Sequence, residues 1–305
     1  MTAADKYRTP EAFKVALEVR VRRYAAVDGV DMNRFRQLLV FDRFLARIAQ
    51  AFGDRALLKG GVVLELRLDR ARATRDIDLR MVGDPGQILE QLQLAGRLDL
   101  GDHISFLVTV STDAAKIEGD GVVYEGQRFR AEARLGGMIY GTPFGVDVAF
   151  GDPLVGDIEE HSSRAYLDFV GVPATRLRLY PRETHVAEKL HAYTLPRRAE
   201  NSRVKDLPDL ALLAQTGPFT AQQLRAALET TFTFRGSHPL PALVPSPPAS
   251  WLEPYAKIAA ENRLVWPTLP AVERAVREFL DPLLAPTPVA GAWSPEAWAW
   301  QAPRS

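Results

Sequence analysis

Apolar positions recur at helical spacing from the start of the chain. Pro10 opens the segment PEAFKVALEVRVRRYAA, and Asp31 stands where a side-chain oxygen caps a second helix, MNRFRQLLVFDRFLARIAQAF. Leu38, Phe41, Leu45, Ile48 and Phe52 share one side of it. After the Lys59-Gly60-Gly61 turn, VVLELRLD is too short to assign to helix or strand, whereas IDLRMV (77–82) reads as a buried strand. Pro85 to Ala95 returns to helical spacing, with Ile88, Leu89 and Leu92 inward. HISFLVTV (103–110), VVYEG (122–126), QRFRAEARLGG (127–137) and FGVDVAF (144–150) then alternate apolar and polar residues or form short apolar runs between glycine-rich turns. From Arg182 the helical period resumes in RETHVAEKLHAYT, VKDLPDLALLAQ and TAQQLRAALETTF, and again near 251–263 and 268–280. Between these, RGSHPLPALVPSPPAS (235–250) reads as a loop or tether, stiff locally but free in position. The tryptophan-rich end, AWSPEAWAWQAPRS, either docks on the body or frays. The pattern is α+β: a mixed, largely antiparallel sheet with helices on one face, then a helical C-terminal region. The expected division lies between 1–178 and 179–305.

Composition narrows the function. Lys+Arg and Asp+Glu both number 38, so there is no global attraction to a polyanion, and any such partner must meet a local basic patch. The absence of cysteine excludes disulfides, thiolate metal sites and a cysteine nucleophile. The N-terminal stretch lacks a signal-peptide apolar core, and no run approaches the roughly 18 apolar residues of a membrane span. A cytoplasmic protein without membrane contact is expected.

The candidate chemistry begins at Asp76-Ile77-Asp78. Side chains alternate along a strand, so Asp76 and Asp78 share one face while Ile77 and Leu79 point to the core. Two carboxylates so close raise one another's pKa unless a cation sits between them, and Mg²⁺ or Mn²⁺ bridging to a substrate phosphate answers that need. Taken alone, Asp-x-Asp at a strand end is more often a solvated turn. Gly60 and Gly61 stand where a helix could begin after a short strand, a place where free N–H groups donate to phosphate, although a glycine pair is more often a plain turn. Asp147 lies inside an apolar strand, where an unpaired ionised carboxylate would cost several kcal/mol. It either completes a three-carboxylate metal cage with Asp76 and Asp78 or is a salt-bridged core residue. Asp152, past the strand, reads as a turn residue.

In HVAEKLHAY, Val186, Leu190 and Tyr193 form a stripe with Lys189 at its edge and Glu188 on the opposite side. Lys189 is placed either to set a point charge on a triphosphate or to snorkel from the stripe. His191 lies off the stripe and reads as surface. Asp206 and Asp209 share one side of the next helix, where first-turn acids also complement the macrodipole. Arg20, Arg22, Arg23, Arg197, Arg198, Arg203 and Lys205 are candidates for a phosphate-backbone groove, although most charge runs are solvated helix sides.

Taken in order, K-G-G, R-x-T-R-D-I-D, G-V-D-V-A-F-G-D, E-K-L-H-A and R-V-K-D-L-P-D-L resemble the AbiEii/AbiGii abortive-infection toxin nucleotidyltransferases, a minimal branch of the DNA polymerase β-like superfamily that includes the mycobacterial MenT toxins. The resemblance covers residues 55–215. It departs at Gly61, where many superfamily members have serine, and at Ala73, often a larger residue.

The resemblance implies a polymerase β-like core with a helical C-terminal region and transfer of a nucleotide from an NTP to an acceptor, the 3′ end of tRNA in several MenT members. It implies a metal at Asp76, Asp78 and Asp147. It also implies nucleotide contacts from Gly60, Gly61, Arg75, Lys189, Asp206 and Asp209, with Asp209 the foremost acid of the helical half, and a cognate antitoxin as partner. Two other readings stay open: transfer to a protein or small molecule, and an inactive nucleotidyltransferase fold that only binds.

Overall fold

The computed structural model describes residues 6–68, 73–111, 126–197, 201 and 203–302. Helix α1 (Pro10–Asp28) starts with the Thr9 hydroxyl accepting from the Ala12 amide and stops at Gly29 in the left-handed region. Helix α2 (Met32–Phe52) begins as expected on Asp31, whose carboxylate accepts from the Asn33 and Arg34 amides. Its buried side is wider than one stripe. Leu39, Phe44 and Arg47 are fully buried. Arg43 and Arg47 keep their charge inside by pairing with Asp102 at 2.8 and 2.7 Å. A helix covered on more than one side carries no simple apolar stripe, so Leu38 is only half-buried.

The main sheet is built from β1 (Ala56–Lys59), β2 (Asp76–Met81), β3 (Ile104–Val110), β4 (Gly126–Leu135), β5 (Met138–Ile139), β6 (Phe144–Phe150), β7 (Glu159–Ser162) and β8 (Arg176–Leu179). Its order is β3-β4-β6-β2-β1-β8-β7, with β5 paired to β4. The pairs β2/β6 and β1/β8 are parallel and the others antiparallel, which matches the expected mixed, largely antiparallel sheet. Helix α3 (Gly60–Arg67) follows β1 directly and resolves the ambiguous VVLELRLD segment as helix; α4 (Ile88–Gly96) precedes β3. Of VVYEG, all but Gly126 lies outside the described residues.

The second half contains α5 (Arg182–Thr194), α6 (Asp206–Gln215), α7 (Ala221–Arg235), α8 (Leu252–Asn262) and α9 (Leu269–Leu284). A small sheet of β9 (Phe219–Thr220), β10 (Ala292–Ser294) and β11 (Ala299–Gln301) accompanies them. The tryptophan-rich end docks: Trp293 is buried and its indole donates to the Ala214 carbonyl, while Trp300 donates to that of Phe279. The proline-rich segment is no free tether. Val244 is fully buried and donates to Asp281, and the Tyr193 hydroxyl donates to the Pro245 carbonyl.

Two apolar cores result. One packs α1, α2 and α4 on the sheet face bearing Ile77 and Leu79, and the other fills the helical half around Leu190, Leu210 and Phe279. Helix α3 joins them, with Val62 and Val63 in the first and Leu64 in the second. The cleft opens between the two halves. Among the described residues, no helix is long and apolar enough to cross a membrane.

Candidate active site

Four strands meet at one row of charges. Lys59 on β1 pairs in register with Asp78 on β2, Asp78 with Asp147 on β6, and Asp147 with Arg128 on β4. Side chains in register share a face, so the order across the sheet is cation, acid, acid, cation. Gly60 makes room for this row. Its φ is +70°, and a Cβ there would lie 1.8 Å from Asp78 Oδ2, so no other residue lets the carboxylate sit over the turn. Asp76, two residues before Asp78, accepts from the Gly145 amide at 3.2 Å. A side chain at Gly145 would collide with that carboxylate, its Cβ 2.5 Å from Oδ1.

The chain leading into β2 is clamped as well. The Thr74 amide donates to Glu65 Oε1 at 2.7 Å, Arg34 donates to the Thr74 carbonyl at 2.7 Å, and Arg34 also pairs with Glu65. Helices α2 and α3 thus set where Asp76 and Asp78 emerge. Burial raises the Asp78 carboxyl, and the neighbouring Asp147 charge adds to it, pushing its pKa up to about 6.

Across the cleft, Lys189 on α5 is 2.9 Å from both Asp206 and Asp209 at the start of α6. Asp209 is fully buried and Asp206 nearly so. One turn of α5 earlier, His185 is buried with both ring nitrogens unpartnered. Burial, helped by the Lys189 charge, lowers its pKa to about 3 and keeps the ring neutral.

Glu188 is not on an outer face. It is buried and receives Lys59 at 2.7 Å, Arg235 at 3.1 Å and the Tyr180 hydroxyl at 2.9 Å. Burial favours its protonated form, but Lys59 and Arg235 outweigh that and hold the carboxyl well below the usual range. Asp152 joins this network at 3.6 Å from each cation, so it is a buried ionic residue and not a solvated turn. His191 is likewise inside, 1% exposed, with Nε2 2.8 Å from the Ser237 hydroxyl. The corrections share a kind of cause, burial by elements remote in sequence: Lys59 of β1 and Arg235 of α7 meet Glu188 and Asp152, and Ser237, just after α7, covers His191.

The cleft between these walls has a volume of about 480 Å³ and is lined by Gly60, Asp78, Arg128, Asp147, His185, Lys189, Arg197, Arg203 and Asp206 among others. Gly61 is buried in the first turn of α3, and Arg75 is exposed in the bend before β2. Of the candidate basic residues, Arg197 and Arg203 border the cleft. Arg20, Arg22 and Arg23 belong to α1, on the other face of the sheet, where Arg20 covers the Phe169 ring. Lys205 is exposed, and Arg198 lies outside the described residues.

The sequence model of the AbiEii family, described as the nucleotidyl transferase AbiEii toxin of a type IV toxin–antitoxin system, matches residues 43–301. The chain belongs to this family. It is accordingly a nucleotidyltransferase toxin, and the AbiEii family implies an NTP substrate and an antitoxin partner. MenT4, a nucleotidyltransferase toxin of Mycobacterium tuberculosis, superposes with a TM-score of 0.50 at 20% identity, over 89% of this chain and 99% of its own. JHP933 of Helicobacter pylori is more distant, with a TM-score of 0.39 at 15% identity over 65% of this chain and 80% of its own. No curated protein matches the sequence.

The donor set of this AbiEii chain fits a hard divalent ion. Asp76, Asp78 and Asp147 supply carboxylate oxygens from one sheet face, and burial together with the Asp147 charge raises the Asp78 pKa, a shift that a bound cation would reverse. The set is not preassembled, since among the described residues no group of three acids or histidines stands ready to hold a metal. Asp147 is engaged instead by Arg128, which donates from Nε at 2.6 Å and Nη2 at 2.5 Å. Arg128, Lys59, Glu188 and His185 were not singled out as site residues by the sequence. The strand register that aligns Arg128 with Asp147 has no local signature, but Lys59 directly before the glycine pair was a usable signal.

Proposed function

We propose that this toxin transfers a nucleotide from an NTP to an RNA acceptor, the 3′ end of tRNA, using a divalent ion held by Asp76, Asp78 and Asp147. The observation that carries the reading is the confrontation, across one cleft, of the Asp78–Asp147 pair over the Gly60 turn with Lys189 fixed between Asp206 and Asp209. When bound, Mg²⁺ or Mn²⁺ supplies charge neutralisation for the triphosphate and lowers the pKa of the attacking hydroxyl.

The protein's own groups do the rest. The Gly60-Gly61 turn receives phosphate oxygens on backbone N–H groups at the start of α3. Lys189, oriented by two buried carboxylates, sets its ammonium where charge builds on the leaving pyrophosphate. The acceptor 3′-oxygen forms a bond to the α-phosphorus, the bond from that phosphorus to the bridging oxygen breaks, and pyrophosphate departs. Asp147 takes the hydroxyl proton. Arg197 and Arg203, which border the cleft, hold the phosphates of the acceptor strand in this reading.

The test is incubation of the protein with Mg²⁺, each α-labelled NTP in turn and total tRNA, beside Asp76→Ala and Lys189→Ala. A labelled tRNA band with one NTP, absent from both variants, is the expected result. Full activity of Asp76→Ala would overturn the metal assignment, and label on protein in place of RNA would overturn the acceptor.

A further inference from the structure

The cations of this site are committed differently. Lys59 is tied to Glu188, and Lys189 to Asp206 and Asp209, acids that lie outside the proposed metal set. Arg128 is tied to Asp147, which lies within it. Its charge also acts on Asp76 and Asp78, and these acids together hold the guanidinium well above its ordinary pKa. The pair is bidentate but half-open, with side-chain exposures of 36% for Arg128 and 28% for Asp147. Because both partners reach solvent, an incoming divalent ion has access to Asp147 without any burial to undo. Each of the two Asp147 oxygens accepts from Arg128, so a divalent ion brought to either one is opposed by the guanidinium charge beside it. The guanidinium lies on the cleft wall together with Gly60 and Lys189, where the triphosphate is placed, and its planar donor fork matches phosphate as well as carboxylate.

We propose that Arg128 is an exchangeable arm: it neutralises Asp147 in the empty site and, once Asp147 is given over to a divalent ion, transfers its guanidinium to a phosphate of the incoming nucleotide. This rests on the metal reading above. It makes cation and nucleotide loading sequential and keeps the acid row from repelling a triphosphate before the ion is in place.

The test compares the full-length wild type with Arg128→Gln and Arg128→Lys. Binding of Mn²⁺ alone is followed by electron paramagnetic resonance, and binding of tripolyphosphate in saturating Mn²⁺ by calorimetry, with thermal melts to confirm folding. Arg128→Gln is expected to bind Mn²⁺ about tenfold more tightly, because its competitor is gone, and tripolyphosphate about tenfold more weakly, because the arm is gone. Arg128→Lys, which keeps the charge without the fork, should fall between the two. Mn²⁺ binding that is unchanged or weaker in Arg128→Gln overturns the exchange while leaving the metal reading intact. Unchanged tripolyphosphate affinity overturns the transfer to phosphate. Absence of Mn²⁺ binding from wild type and variants alike overturns this inference together with the metal reading.

Discussion

The two walls of the cleft carry similar charges in opposite states of balance. On the helix side the acids nearest the cleft have cations: Lys189 serves Asp206 and Asp209, while Lys59 and Arg235 serve Glu188 and, from the loop after β6, Asp152. On the sheet wall Asp76, Asp78 and Asp147 crowd one face, and Arg128 engages Asp147 alone. The helix wall is charge-paired as folded. The sheet wall gathers three carboxylates on one face, a surplus of negative charge that a divalent ion would relieve. A site that must bind a cation and release it is better built with one unbalanced wall set against a balanced one.

The largest effect that tests this contrast is on activity. Removing a metal-holding carboxylate forfeits several kcal/mol of transition-state stabilisation, so Asp76→Ala and Asp78→Asn are expected to lower nucleotide transfer by about 10³-fold or more. Asp78→Asn should at the same time raise Tm at pH 7, because it removes a carboxylate whose ionised form is disfavoured. A lowered Tm would show the sheet wall to be balanced after all. The helix wall should respond the other way. Lys189→Ala leaves Asp206 and Asp209 buried without their cation, at a cost of about 3–5 kcal/mol in urea unfolding, and adding Asp209→Asn should recover part of that loss.

Acid separates the walls next. His185 and His191 stay neutral in the folded protein down to about pH 3. They protonate near 6.5 in the unfolded chain, so stability is lost as pH falls below about 6.5, by about 1.4 kcal/mol per pH unit for each ring. Asp78 opposes this trend: its pKa is raised when folded, so its unfavourable contribution at neutral pH disappears as pH falls from about 6 towards 4. Melts from pH 7 to pH 5 should therefore fall less steeply in His185→Asn and more steeply in Asp78→Asn than in wild type. The smallest effect is expected at the cleft border, where Arg203→Ala should raise KM for the RNA acceptor a few-fold and reduce the salt slope of binding by about 1. Its effect should be uniform across acceptor sequences, as for a phosphate contact.

Local features were legible wherever a single element carried the signal. Asp31 capping α2, the strand holding Asp76 and Asp78 and the helix carrying Lys189 follow from period and capping, whereas the helix after Gly60 is too short for its period to assign. Glu188, Asp152 and His191 were misplaced because each is buried by an element remote in sequence: Lys59 from β1 meets Glu188, and Arg235 and Ser237 at the end of α7 close over the rest. The proline-rich segment was misjudged for a related reason, since proline marks the lack of regular structure but does not say whether Val244 has a core to enter.

From the sequence alone came the order of elements, the spacing that puts Asp76 and Asp78 on one face, and a set of ordered motifs that named the family. Those depend on bonds and torsions within a few residues of one another. Only the tertiary structure decided that Asp147 stands beside Asp78 with Arg128 across it, and that one wall is neutralised while the other is not. Strand register and helix packing are set by the summed burial of apolar residues far apart in the chain, and a carboxylate's protonation depends on which charges that burial brings within a few ångströms.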